Sequence, residues 1–411
     1  MSFRSKTLSV TEYIQSQLKL NHTSLEQYLK DISTSKDYLF DFACATWSLI
    51  CEPGDMIAGY LRDQLGTEQA LVKIVGGSTV EEILSMLGGE YSELPSFRVT
   101  LASSLTNWRR RTTQSDVFHS LLKLRELGGK LVTIRSPHWP NQLNDLGYAA
   151  PAALWVLGNF ELLGQVDQSV AVVGSRVSSD YGKAVAHDVV KNLVSMDKSI
   201  ISGGAIGIDA IAHNTALILG AKTIAIMAGG LDRLYPMQNI ELFNRIRTQG
   251  ALVSEVPPGV SPTKWRFLQR NRLIAALSEA TVVIEAGVRS GTINTVGHAN
   301  ELGRPVGAVP GPINSARSAG CHELIKSGKA QLISIPADLK ELCGDREYFE
   351  KPFTSLSHWE VRALDSLGDE PLTLEQIAKT SGLTIYEAET GLRQLAQSGL
   401  AAAMSNGWAK C

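Results

Sequence analysis

Apolar and polar positions follow one rhythm over the middle of this chain. From Ser169 to about Leu339, apolar runs of strand length alternate with amphipathic segments of helix length. The runs predict strands at Val170–Val173, Ser199–Ser202, Thr223–Met227, Leu252–Glu255, Thr281–Glu285, Val306–Val309 and Gln331–Ile335. Between them the spacing predicts helices over Tyr181–Met196, Asp209–Leu219, Asn239–Thr248, Leu268–Leu277 and Thr292–Leu302. Such alternation argues for an α/β fold with a doubly wound, mostly parallel sheet. Ligands of these sheets bind beyond the carboxyl ends of the strands. Here those ends carry Gly174-Ser175-Arg176, Ser202-Gly203-Gly204, Ala228-Gly229-Gly230, Ser254-Glu255, Glu285-Ala286-Gly287 and Pro310-Gly311. Small and polar turns therefore share one rim.

The flanks have other textures. Residues 1–105 are helix-patterned and form an expected N-terminal helical domain, with apolar periodicity in Ser24–Leu29 and Tyr38–Leu49. The run LVTIRSPHWP from Leu131 and the run AALWVLGNF around Trp155 read as edge strands added to the main domain, expected over 106–340. A linker is expected at 341–356. Residues 357–411 hold two capping boxes, Thr373/Gln376 and Thr384/Glu387. Helices over His358–Leu367 and Leu374–Thr380, a turn at Ser381-Gly382-Leu383, a third helix to Gln397 and a closing ribbon fit a winged-helix-like domain. The presumed recognition segment is not basic: residues 373–397 hold Glu375, Glu387 and Glu389 against Lys379 and Arg393, which favours protein contact over duplex reading.

Composition narrows the chemistry. The 411 residues suit two or three domains, and a net charge of −2 confines any nucleic-acid surface to a local patch. The first residues lack a signal-peptide apolar core and no run is long enough to cross a bilayer, so a cytoplasmic protein without membrane association is expected. Five scattered cysteines without a CxxC argue against a disulfide framework or zinc site, and Cys321, the one near the glycine-rich turns, reads as packing.

Between Ser261 and Ser278 stand four cations (Lys264, Arg266, Arg270, Arg272) and no acid, with Trp265 and Phe267 interleaved. Arginine forks suit phosphate oxygens, and aromatic faces accept bases of any identity. Ser290-Gly291-Thr292, preceded by Arg289, reads as a helix-opening anion seat. Gly174-Ser175-Arg176 ends a strand as a phosphate turn does, yet lacks GxGxxG spacing. The Trp108-Arg109-Arg110-Arg111 patch reads as a solvated helix face. Asp209 with His213, and His298 with Glu301, read as structural pairs rather than metal ligands. GxSxG is absent, and no motif places an acid–base pair, which favours a binding protein with no catalytic residues, metal or cofactor.

An ordered series of blocks resembles the DprA/Smf family of bacterial DNA-processing proteins. These are VGSR with Tyr181-Gly182, SGGAIGIDAIAH (202–213), GGLDRLYP (229–236), SEVPPG (254–259), QRNRLIAALS (269–278), VVIEAGVRSGT (282–292), ELGRPVGAVPGP (301–312) and AGCHELIKSG (319–328). The resemblance implies an extended Rossmann-like fold that binds single-stranded DNA without sequence preference, dimerises and loads the RecA recombinase during natural transformation. Carried over by position, Gly174, Ser175, Arg176, Ser202, Gly203 and Gly204 would hold phosphates. Phe267, Arg270, Asn271 and Arg272 would line the strand path, with Arg289, Ser290 and Gly291 closing the rim. Ile206 stands where many relatives carry Lys or Arg, so one phosphate contact is expected to be missing. The rival reading is a small-nucleotide sensor or a phosphoribohydrolase-like enzyme of a related fold. There the catalytic glutamate's place is taken here by Thr295.

Overall fold

A computed structural model describes residues 22–87, 95–114, 116–344, 356–368, 371–404 and 406–410. The chain divides at residues 345/346 into two compact units. The first begins with helices α1 (His22–Leu29), α2 (Tyr38–Ile50), α3 (Met56–Leu65), α4 (Thr67–Val75), α5 (Val80–Met86), α6 (Pro95–Gln114) and α7 (Val117–Glu126). Short polar residues start several of them. The side chains of Asp37, Asp55, Thr79 and Asp116 each accept an N–H of the first turn of α2, α3, α5 and α7. Trp47, Leu61, Ile74, Leu101 and Trp108 fill a core of their own among these helices. Helix α6 runs through residue 105, so the domain boundary expected there falls inside a helix.

The α/β portion follows as β1 (Lys130–Val132), β2 (Leu154–Gly158), β3 (Ser169–Val173), α8 (Asp180–Ser195), β4 (Ser199–Ser202), α9 (Ile208–Ile218), β5 (Thr223–Met227), α10 (Ile240–Gln249) and β6 (Ala251–Ser254). It continues as α11 (Lys264–Ala276), β7 (Ala280–Val283), α12 (Gly291–Glu301), β8 (Val306–Ala308), α13 (Ala319–Lys326), β9 (Gln331–Leu332) and α14 (Pro336–Leu342). The nine strands form one sheet in the order β1-β2-β6-β5-β4-β3-β7-β8-β9. Pairing is parallel from β6 to β9 and antiparallel where β1 and β2 are added at the edge.

Helices cover both faces, which is why β3 and β5 are continuous apolar runs buried along their whole length. Ala171 and Val173 pack with Leu273, Ile274 and Val296 on one face. Val170 and Val172 pack with Val189, Val190 and Ala212 on the other. Towards β2, Trp155 and Leu157 join Phe40, Phe42 and Leu121 of the N-terminal helices, and the Trp155 indole donates to Ser48 Oγ at 3.1 Å.

Two elements differ from expectation. Helix α11 starts at Lys264, a turn before Leu268, because Thr263 caps the Arg266 N–H. Strand β9 stops at Leu332 instead of Ile335, because the Asp338 carboxylate takes the N–H groups of Ser334 and Ile335 and turns the chain into α14. That helix reaches Leu342, into the expected linker, most of which lies outside the described residues. The second unit comprises α15 (His358–Ser366), α16 (Leu374–Ser381), α17 (Ile385–Gln397) and the antiparallel hairpin β10 (Ala401–Met404) and β11 (Gly407–Lys410). Capping boxes open all three of its helices. No helix among the described residues is long and apolar enough to cross a membrane.

Candidate functional site

From β3 the chain winds outward through β4, β5 and β6, then returns to place β7 on the opposite side of β3. The loops leaving β3 and β7 diverge there, which opens a crevice at the sheet's topological switch point. A cavity of about 620 Å³ occupies it, within the usual range for a ligand pocket. Its walls are the loop Gly174–Val177, Ala205 and Asp209, one face of α11 (Phe267, Arg270, Asn271, Ile274), and Arg289–Thr292 with Thr295.

Two guanidinium groups flank one ring. The Arg176 and Arg270 carbons lie 5.4 Å and 5.7 Å from the Phe267 centroid, within cation–π range. Arg176 is exposed; Arg270 is buried and donates to Gly203 O at 2.6 Å and to Ile226 O. Burial lowers the Arg270 pKa to about 10, Asp209 works against that shift and Arg176 adds to it, so the group is still cationic at neutral pH. The Asp209 carboxyl is raised by burial and accepts the N–H groups of Gly203 and Ala205 at 3.1 Å and 3.3 Å. A Cβ on Gly203 would stand 2.6 Å from the Arg270 guanidinium. Gly207 has φ +89°, and a Cβ there would stand 2.3 Å from Ser175 O. The SGG turn is thus clamped between α11 and the end of β3.

The opposite wall is the start of α12. Ser290 caps the Thr292 N–H, and Thr292 Oγ1 donates to Gly174 O at 3.2 Å, which fixes the positive helix end beside the β3 loop. Asn271 Nδ2 donates to Gly291 O at 3.3 Å and Asn294 Oδ1 at 3.1 Å, pinning α11 to α12. Glu285 accepts the Ser179 N–H at 3.0 Å and its hydroxyl, tying the β7 exit to the start of α8.

Gly174, Ser175, Arg176, Phe267, Arg270, Asn271, Arg289, Ser290 and Gly291 are therefore brought together. Ser202, Gly203 and Gly204 are not on the wall but buried beneath it, with Ser202 Oγ donating to Val172 O at 2.7 Å. Arg272 also departs from expectation. Two residues beyond Arg270 a helix has turned about 200°, and Arg272 is buried in a two-point ion pair with Glu255, both contacts 2.7 Å. It donates to Ala149 O as well.

Of the Trp108–Arg111 patch, expected as a solvated face, only Arg110 is exposed. Trp108 is buried and donates to Asp55; Arg109 donates to Ile74 O and Ser78 O; Arg111 donates to Ile50 O and pairs with Glu52. The Ile74 and Ile50 carbonyls end α4 and α2, where a cation is favoured. Asp209 and His213 have separate partners, His213 Nδ1 lying 2.7 Å from Thr223 Oγ1. Burial, then Arg270, pushes His213 down to about 3. Among the described residues no group of three His, Cys, Asp or Glu could hold a metal ion. Cys321 is buried, its thiol pushed up to about 11 by burial.

Sequence reasoning assigned no role to Val177, Leu268 and Ile274, which give the pocket its apolar lining. It also passed over Tyr235, whose ring meets Phe267 at 5.7 Å. The only signal for Tyr235 was its place in the GGLDRLYP block.

The family described as DNA recombination-mediator protein A matches residues 130–344. A DprA-named DNA processing protein of Mycobacterium tuberculosis is 39% identical over 307 residues, 69% of this chain and 78% of its own length. Protein Smf of Escherichia coli is 35% identical over 303 residues, 71% of this chain and 80% of its own length. The X-ray structure of DNA processing protein A from Streptococcus pneumoniae superposes with a TM-score of 0.58 at 31% identity, covering 74% of this chain and 97% of that one. With the ordered blocks now placed around one crevice of a Rossmann-like α/β sheet, this chain belongs to the DprA/Smf family of DNA-processing proteins.

Proposed function

We propose that this protein binds single-stranded DNA without sequence preference and passes it to RecA in transformation and recombination. The observation that carries the reading is Phe267 flanked by Arg176 and Arg270 beside the open N-terminus of α12. An aromatic face stacks any base, while guanidinium forks and helix amides take phosphate oxygens. Binding fits this pocket better than hydrolysis. Its lining carboxylate, Asp209, has an oxygen committed to two backbone amides, and Thr295 stands where the related hydrolases carry glutamate.

The reading extends to a cytoplasmic homodimer. The exposed Leu332 on the short edge strand β9 and the half-buried Ile325 of α13 offer an apolar surface for a second copy. In the second unit, three helices and a hairpin support a winged-helix-like fold. Arg393 of α17 is paired with Glu389 at 2.7 Å, which favours a protein partner over a duplex. Removal of residues 357–411 is expected to leave strand binding largely intact.

The test compares oligo(dT) with a matched duplex across salt, with and without RecA. The expected result is strong preference for the single strand, affinity falling steeply with salt, and faster RecA assembly on the bound strand. Equal affinity for strand and duplex, or tight binding of mononucleotides, would overturn strand binding; unchanged RecA assembly would overturn the hand-over.

A further inference from the structure

Beyond the pocket mouth runs a strip of exposed side chains that no block of cations explains. Tyr235 is 51% exposed, and its ring meets Phe267 at 5.7 Å and 61°, so the aromatic surface continues out of the pocket without a break. The next turn, Met237–Asn239, is tied to the SGG loop by Asn239 Nδ2 donating to Gly204 O at 3.0 Å. On that same loop Ile206 is 43% exposed, between pocket-lining Ala205 and Gly207, which packs on the Ser175 and Arg176 carbonyls. Met237 is 66% exposed. Three such side chains on turns fixed to the pocket, one of them in ring contact with Phe267, suit an occupant with flat apolar faces.

We infer that Tyr235, with Met237 and Ile206, forms a second station on the strand path, where bases of single-stranded DNA stack outside the pocket. The inference rests on the strand-binding reading above. It also gives Ile206 a different meaning. A lysine or arginine at that position would meet a phosphate; an isoleucine there, next in the chain to pocket-lining Ala205, would meet a base. The strand is therefore held by charge and the Phe267 face within the pocket and by stacking alone beyond it, with the bases turned towards the protein at this station.

The test uses the full chain and fluorescence anisotropy with oligo(dT), and with an oligonucleotide of equal length carrying abasic sites. Tyr235→Ala is expected to weaken oligo(dT) binding about tenfold or more, whereas Tyr235→Phe, which keeps the ring, stays within about twofold. On the abasic oligonucleotide, Tyr235→Ala and wild type should bind alike. Ile206→Lys and Met237→Lys, both at exposed positions, should each steepen the log–log salt dependence by about 0.7, one single-strand phosphate's share. An undiminished affinity in Tyr235→Ala, an equal loss in the Phe and Ala variants, or an unchanged slope in both lysine variants overturns the second station while leaving the pocket in place. Failure of the wild type to prefer the strand over the duplex overturns both readings together.

Discussion

Two segments of this chain look alike when read as letters. Trp108-Arg109-Arg110-Arg111 and Lys264-Trp265-Arg266-Phe267, continuing to Arg270 and Arg272, both set arginines beside aromatic rings on a helix. In space they even share a partner, since Glu52 accepts from Arg111 at 2.5 Å and from Arg266 at 3.0 Å. Their fates differ with the carbonyls around them. Arg109 and Arg111 lie against the ends of α4 and α2 and fill those vacancies. On α11 the helix turn sends Arg272 to Glu255 and away from the crevice that Arg270 and Phe267 face, while Arg266, in the first turn, is drawn to Glu52. Arg270 itself donates to two carbonyls yet keeps its charge beside the pocket. A cation count therefore says little about ligand binding until the competing acceptors are known.

Four changes test that contrast. Arg272→Ala leaves the largely buried Glu255 without its ion-pair partner, so unfolding stability should fall by about 3 kcal/mol, with the affinity of the folded fraction for oligo(dT) unchanged. Denaturant melts and titrations on the same sample separate the two. Arg109→Ala should cost about 1.5–3 kcal/mol through lost charge-assisted bonds, again with no change in strand affinity; a binding loss here would mean the two segments are more alike than the geometry allows.

Acid should distinguish the regions next. The unfolded chain protonates His213 near pH 6.5 and the folded one only near 3, so the unfolded state takes up more protons as pH falls and stability drops. Between pH 6.5 and 5 this amounts to about 2 kcal/mol. Asp41 and Asp55 among the N-terminal helices have raised pKa values from burial, so acidification favours their folded form; Asp209 at the start of α9 is raised likewise and offsets part of the His213 loss. Hydrogen exchange at pH 7 and pH 5 should show protection falling around β4, α9 and β5 more than in α2 and α3. The smallest effect is Arg176→Ala. Strand affinity should drop about tenfold at low salt for every sequence alike, with a slope shallower by about 0.7 and stability within about 0.5 kcal/mol of wild type.

Much of the sheet was legible because buried parallel strands are unbroken apolar runs, and the rim followed from where those runs stop. Ends were less legible. The Asp338 side chain shortens β9 by capturing two backbone donors, a local competition that apolar patterning does not record. In the site, Arg176, Phe267 and Arg270 were readable from type and spacing. Arg272 was misread because a linear run of cations hides the 100° per residue rotation that sends it to Glu255. Tyr235 was overlooked because its neighbour, Phe267, is distant in sequence and close only after β5 and α11 are laid side by side.

The switch point also dictates a timetable. Strand β3 is complete at Val173, but the strand that covers its second edge, β7, begins only at Ala280. On a ribosome adding about 5–20 residues per second, that edge waits roughly 5–20 s with its hydrogen-bonding groups unpaired. The pocket walls at Arg289–Thr292 emerge later still. A nascent chain thus passes through an interval in which its most apolar strand is open on one side and its binding site does not yet exist. The crevice of the finished protein is thus the reason its unfinished form carries an unpaired strand edge until β7 has been made.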